Sequence, residues 1–293
     1  MTSWHDLTLH VAGAELGRGG FSIVCKASTQ AGVAVAVKLI STSVESGHML
    51  RQLQREVAFG LELRHQHVCP TVGLSVVGGY PAIVMQLCEG GTAFDRFIAP
   101  PPAPPPAGSS VGDSWIFGRG ALLSDAEAAR VCTESALGLA YLHKQGVQHR
   151  DIKPENVLLD AQLCAKICDF TLSSRASLEA SASAGGECFS MRYVAPEAIF
   201  GAFSFKSDVY SYGMLMYAIL HRAMPFDSYK ALQVPFLVAA RQQRPTIQLS
   251  PALEPFGAVI ATCWDGDVET RPQMAAVVAM MPALVAHSVV AAH

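Results

Sequence analysis

His149-Arg150-Asp151-Ile152-Lys153-Pro154-Glu155-Asn156 sets a carboxylate, an ammonium group and a carboxamide close together in one short stretch. Downstream come Asp169-Phe170-Thr171, Ala195-Pro196-Glu197, Asp208-Val209-Tyr210-Ser211-Tyr212-Gly213 and Arg271-Pro272. Upstream lie Glu56, then Val35-Ala36-Val37-Lys38, then Gly17-Arg18-Gly19-Gly20-Phe21-Ser22-Ile23-Val24. Taken singly, most of these are unremarkable: a strand-end lysine in water, a surface helix carboxylate, an aspartate capping a turn. Their order along the chain carries the information.

The glycine-rich stretch lies between two strand-like segments, Leu7 to Leu16 and Ile23 to Ala27. Glycines there let backbone amides approach a polyphosphate closely, because no side chain holds the ligand away. A strand follows, which excludes the dinucleotide fingerprint, where a helix follows. The Gly-Lys-Ser/Thr ending of the other common phosphate loop is also missing. Leu50, Leu53, Val57 and Leu61 recur at helical spacing and predict an amphipathic helix over residues 46–63. Val72 to Val77 and Ala82 to Leu87 read as two strands around Gly78-Gly79, and Glu89-Gly90-Gly91-Thr92 as a linker. Residues 100–106, six Pro and one Ala, form a stiff extended tract within an insertion ending near Gly120. It reads as a spacer, with a proline-binding partner as the minor reading. Ser124-Asp125-Ala126-Glu127 is a capping-box signature opening a helix that runs to about His143, and the remainder reads as mostly helical.

Composition narrows the function classes. Of 293 residues, 51% are hydrophobic and 15% charged, and the formal net charge is -3. Such a chain has ample apolar surface to offset ordering entropy. Its charge gives no footprint for nucleic acid or an anionic membrane surface. The eight Cys form no CxxC pair, and residues 1–6 are too polar for a secretory segment. Reduced thiols and a cytoplasmic location, or a nuclear one, are therefore expected. Met274 to Ala286 is almost wholly apolar, but Pro282 interrupts it. No clean run of ~20 apolar residues remains for a bilayer span, so a short buried terminal helix is expected.

With its motifs in this order, the chain resembles a eukaryotic-type protein kinase from about Leu9 to Met280. The resemblance implies an α+β, two-lobed protein kinase fold: a small antiparallel-sheet N-lobe with one key helix and a larger, mainly helical C-lobe. The boundaries it implies are an N-lobe about 7–88, a hinge about 86–91 and a C-lobe about 92–285, with the Pro-rich insertion at about 99–120. It also implies ATP between the lobes, under Leu16, Gly17 and Gly19, with the adenine sandwiched by Val24, Ala36 and Leu158. Backbone groups around Gln86 to Cys88 would bond its edge, and Met85 stands at the gatekeeper position. Lys38, paired with Glu56, would hold the α- and β-phosphates, while Asp169 and Asn156 would bind Mg²⁺, or Mn²⁺ in its place. Asp151 would act as base toward a protein Ser/Thr hydroxyl and Lys153 would steady the γ-phosphate. His149 would pack under Phe170, and Cys168 would be a small buried filler. Lys153, two residues after Asp151, and Ser190 resemble the serine/threonine branch. Trp4-His5-Asp6-Leu7-Thr8-Leu9 and Met85 resemble its tyrosine-kinase-like group.

Three departures stand out. Thr171 replaces the usual glycine, removing a flexible joint, and Ser22 replaces the third glycine of the nucleotide loop. Gly60 and Thr71 fall where the family has bulky apolar residues that stack with Phe170 and His149. From this one expects an under-packed column and a Gly60→Leu variant with raised activity. These departures favour an alternative, a pseudokinase scaffold. Against it, Lys38, Glu56, Asp151, Lys153, Asn156 and Asp169 are all present. Arg150 is expected to be an unpaired guanidinium that takes a phosphate on Ser177, Ser181 or Ser183.

Overall fold

Residue parity along strand β3 (Ala34–Ile40) decides which groups face which layer. In this computed structural model, residues 9–18, 22–40, 47–99, 123–175 and 190–282 are described, without the side chains of 9–14 and 47–52. Val35 and Val37 pack with Ala27, Ala82 and Val84 on one face. Alternation sends Ala36, Lys38 and Ile40 to the other face, where Leu53 and Val57 of helix α1 (Gly47–Glu62) meet Ile83. With β1 (Leu9–Arg18), β2 (Ser22–Thr29), β4 (Thr71–Val77) and β5 (Tyr80–Gln86), β3 forms an antiparallel sheet ordered β1-β2-β3-β5-β4. The expected helix and strands thus appear with shifts of only a few residues at their ends.

The segment after α1 is fastened to the helical lobe. The backbone N–H of Cys69 donates to Ile167 O at 2.8 Å, and that of Ile167 donates to His67 O at 2.9 Å. The Arg64 N–H donates to the Tyr141 hydroxyl at 3.0 Å. On the other side, the predicted linker holds a two-residue strand, β6 (Gly91–Thr92), followed by the short helix α2 (Ala93–Phe97). Gly90 there packs so closely that a Cβ would sit 2.8 Å from the carbonyl oxygens of Leu159 and Asp160.

Helix α3 (Asp125–Lys144) begins as its sequence predicts: Ser124 Oγ accepts from the Glu127 N–H, and Glu127 Oε2 accepts from the Ser124 N–H at 2.7 Å. After α3 come β7 (Val147–Gln148), β8 (Val157–Leu159), β9 (Ala165–Ile167) and β10 (Ser174–Arg175), in two small sheets, β6-β8-β9 and β10-β7. Then follow α4 (Phe205–His221), α5 (Val234–Ala239), α6 (Phe256–Cys263) and α7 (Met274–Met280), giving seven α-helices among the described residues. Helix α4 is buried nearly all round and lies at the centre of the lobe. The terminal apolar stretch is helical over Met274–Met280, with Met274 and Val277 buried. Among the described residues no helix is long and apolar enough to cross a membrane. The proline tract at 100–106 and Ser177, Ser181 and Ser183 lie outside the described residues.

Arg271 is buried and makes a two-pronged pair with Glu197, Nη1 to Oε1 at 2.7 Å and Nη2 to Oε2 at 3.0 Å. Its Nε donates to Asp265 O, and the guanidinium lies over the Tyr210 ring. Removing Arg271 leaves the largely buried Glu197 carboxylate without its cation, so Arg271→Ala is expected to cost about 3 kcal/mol of stability. Thermal or urea unfolding measures it.

Candidate active site

Two hydrogen-bonded groups of side chains make up the site, and the first spans the two lobes. In the first, Lys38 Nζ lies 2.6 Å from Glu56 Oε1 and 3.0 Å from Asp169 Oδ1. Burial disfavours the Lys38 ammonium, but the charges of Asp169 and Glu56 outweigh that and raise it above the usual lysine range. Burial also pushes the Glu56 carboxyl upward, against the pull of Lys38. Asp169 is half-buried, and although desolvation opposes its charge, Lys38 and the Thr171 hydroxyl hold its carboxyl well below the usual range. Negative charge is therefore most firmly fixed on Asp169. Asp169 takes the left-handed backbone conformation, with φ 67°, while Thr171 does not. In this conformation, then, the Thr171 position needs no glycine.

The second group is built on the loop between β7 and β8. Lys153 Nζ donates to Asp151 Oδ2 at 2.6 Å and to Ser190 Oγ at 2.8 Å, and Ser190 Oγ donates to Asp151 Oδ1 at 2.8 Å. Asn156 Nδ2 donates to Asp151 Oδ2 at 2.9 Å and to the Asp151 carbonyl. Asp208, from the first turn of α4, holds this loop from below. It accepts from the backbone N–H groups of His149 and Arg150 at 2.7 and 2.8 Å and from His143 Nε2 at 3.0 Å. Although burial opposes it, the His143 hydrogen bond and nearby imidazoles keep the Asp208 carboxyl below its ordinary value. The bond to the Arg150 N–H fixes a residue whose φ is 68°.

His149 joins the two groups. The Asp151 N–H donates to its Nδ1 at 3.3 Å, so Nε2 carries the proton given to Cys168 O at 3.0 Å. The ring sits 5.6 Å from that of Phe170, as expected. Around the nucleotide positions, β2–β3 register places Val24 opposite Lys38, and β3–β5 register places Ala36 opposite Met85 and Val35 opposite Gln86. Leu16 and Gly17 lie near the end of β1 and Leu158 on β8. Cys88 is buried, and its thiol and that of Cys69 both donate to Gln86 O. Gly19 lies outside the described residues.

Two expectations need correction. The space beside Gly60 is not empty: a Cβ there would meet Thr71 Oγ1 at 1.9 Å and Thr71 Cβ at 2.8 Å. Helix and strand touch directly, and Phe59 supplies a ring 6.5 Å from Phe170. Arg150 is not unpaired either, since its guanidinium donates to Gln148 Oε1 and lies over the Phe203 ring. Two links to α1 escaped the sequence reading: the Thr171 hydroxyl on Glu56 and Arg175 on Glu62. The residue type at position 171 was a signal for the first of these alone.

The family described as protein tyrosine and serine/threonine kinase matches residues 11–281, and the chain belongs to it. It is 29% identical over 276 residues to mitogen-activated protein kinase kinase kinase 7 of Homo sapiens, covering 91% of this chain and 40% of that protein. Receptor-interacting serine/threonine-protein kinase 3 of Rattus norvegicus is 30% identical over 279 residues, 88% of this chain and 52% of that protein. Dual specificity protein kinase shkC of Dictyostelium discoideum is 28% identical over 274 residues, 91% of this chain and 49% of that protein. The chain thus spans about half or less of each of these relatives.

The Gly60–Thr71 contact reverses the expectation for a larger residue at position 60. Gly60→Leu should destabilise the fold by about 1–3 kcal/mol, the usual cost of overpacking, and lower activity. Thr71→Ala in the same chain should recover part of that loss, a coupling that a double-mutant cycle in urea measures directly.

Proposed function

We propose that this chain transfers the γ-phosphoryl group of ATP to serine or threonine hydroxyls of a protein substrate. The observation that carries the reading is the carboxylate of Asp151, held by Lys153, Ser190 and Asn156 beside the Lys38–Glu56–Asp169 group. Phosphoryl transfer asks a protein mainly for positioning and for neutralisation of phosphate charge. Lys38, fixed by Glu56, supplies a positive group for the α- and β-phosphates. Asp151 orients the substrate hydroxyl and accepts its proton, with Lys153 offsetting charge on the group in transfer.

The carboxylate of Asp169 and the carboxamide oxygen of Asn156 are hard donors that suit Mg²⁺ or Mn²⁺. Asn156 directs its Nδ2 to Asp151, which leaves its oxygen turned the other way. A divalent ion held there would neutralise charge on the phosphate oxygens. The Ser190 hydroxyl, bonded to both Asp151 and Lys153, favours serine and threonine over tyrosine as acceptors.

Labelled-ATP assays with Mg²⁺ on generic protein substrates, followed by phosphoamino-acid analysis, test the reading. Asp151→Asn should lower turnover by roughly 10²–10⁴ with nucleotide binding nearly unchanged. Asp169→Asn should weaken metal-dependent nucleotide binding and turnover together. Equal phosphotransfer by the wild type and Asp151→Asn overturns the reading, and phosphotyrosine as the main product overturns the acceptor assignment.

A further inference from the structure

One face of α1 carries three residues at successive turns, Glu56, Phe59 and Glu62, and each meets the segment that begins at Asp169. Glu62 pairs with Arg175, but that pair is exposed and holds little. Phe59 faces Phe170 beside the small Gly60–Thr71 contact, where the family's larger apolar residues are missing. The innermost contact is polar. Thr171 Oγ1 lies 2.8 Å from Glu56 Oε2, 2.5 Å from Asp169 Oδ1 and 3.2 Å from Lys38 Nζ.

A hydroxyl has a single proton, so it donates to one carboxylate at a time while accepting from the ammonium. It thereby serves two carboxylates, buried Glu56 and half-buried Asp169, that also share Lys38. The side chain is short and stiff at χ1, so little rotamer freedom is lost in holding it there. A glycine at this position would remove all three bonds.

We propose that Thr171 is a positioning residue for phosphoryl transfer: its hydroxyl links Glu56 on α1 to Asp169 on the opposite lobe. A polar tie thus does the work that apolar stacking does elsewhere in the family, and the placement of α1 follows that of Asp169. This rests on the function proposed above. It also predicts the reverse of what the family pattern suggests, since restoring glycine should impair the enzyme.

Three variants separate hydroxyl from shape. Thr171→Val keeps the branched shape and loses the hydroxyl, Thr171→Ser keeps the hydroxyl, and Thr171→Gly loses both. Thr171→Val and Thr171→Gly should each lower kcat/KM for ATP by about 10- to 100-fold, the scale of a lost hydrogen bond to a charged group. The KM for the protein substrate should stay unchanged, and Thr171→Ser should stay within about threefold of wild type on that same scale. Amide hydrogen exchange over residues 53–62, measured without nucleotide, should quicken in the valine and glycine variants and not in the serine variant.

A glycine variant as active as wild type, or valine and serine variants impaired alike, overturns the proposal. A wild type without phosphotransfer defeats the assigned function instead. The exchange pattern then still decides whether the tie exists: unchanged exchange in all three variants rejects it.

Discussion

The pairing of Lys38 with Glu56 needs a strand and a helix to come within a few ångströms, with both charged ends kept from water. Much of the small lobe follows from that requirement. β3 presents Lys38 on the face that α1 covers, and Leu53, Val57 and Ile83 form the apolar bed on which the helix lies. An ammonium and a carboxylate buried without one another, as Lys38 and Glu56 would be, are forced toward neutrality. Gathered together, and with Thr171 as a shared partner, they keep charges that a phosphate-binding site needs. The helix is rooted at its far end, where His67 and Cys69 pair with Ile167.

The large lobe solves a different problem. Its loop between β7 and β8 must hold a carboxylate pointing outward on a backbone that includes a left-handed arginine. Asp208 meets two of the loop's N–H groups from inside α4, so the most buried helix of the lobe sets the position of Asp151. His149 carries that order onward, because its two ring nitrogens bond to the Asp151 amide and the Cys168 carbonyl. The chemical groups therefore rest on packed elements and not on loops alone.

What could be read in the sequence was local or came from motif order. The apolar run Val33-Ala34-Val35-Ala36-Val37 with Lys38 at its end marked β3, helical spacing marked α1, and Ser124 with Glu127 marked the start of α3, all within a few residues. The two-residue strands β6, β7 and β10 left no pattern, since two residues show no period. Motif order brought the residues of both charged groups together on the page. It could not give the contacts between segments far apart in the chain, such as Thr171 with Glu56. The size of the gap at Gly60 was misjudged because it depends on how closely helix and strand approach. A backbone separation of that kind has no one-residue signature. Arg150 was misjudged for a similar reason, as one partner, Phe203, comes from a distant segment.

The strict alternation of β3 makes this protein unusually sensitive to a change in chain length at one place. A residue inserted or deleted within Val35–Lys38 would exchange the two faces of the strand. The ammonium of Lys38 would then enter the layer formed by Ala27, Ala82 and Val84, away from Glu56 and Asp169. An apolar neighbour, Val37 or Leu39, would take its place beside Glu56 and leave that buried carboxylate without its cation. Folding and the charged site would fail together, so such a frame error could not leave behind a stable, inactive sheet. The turn at Gln30–Val33, outside the strand, is where an extra residue could be absorbed without changing parity.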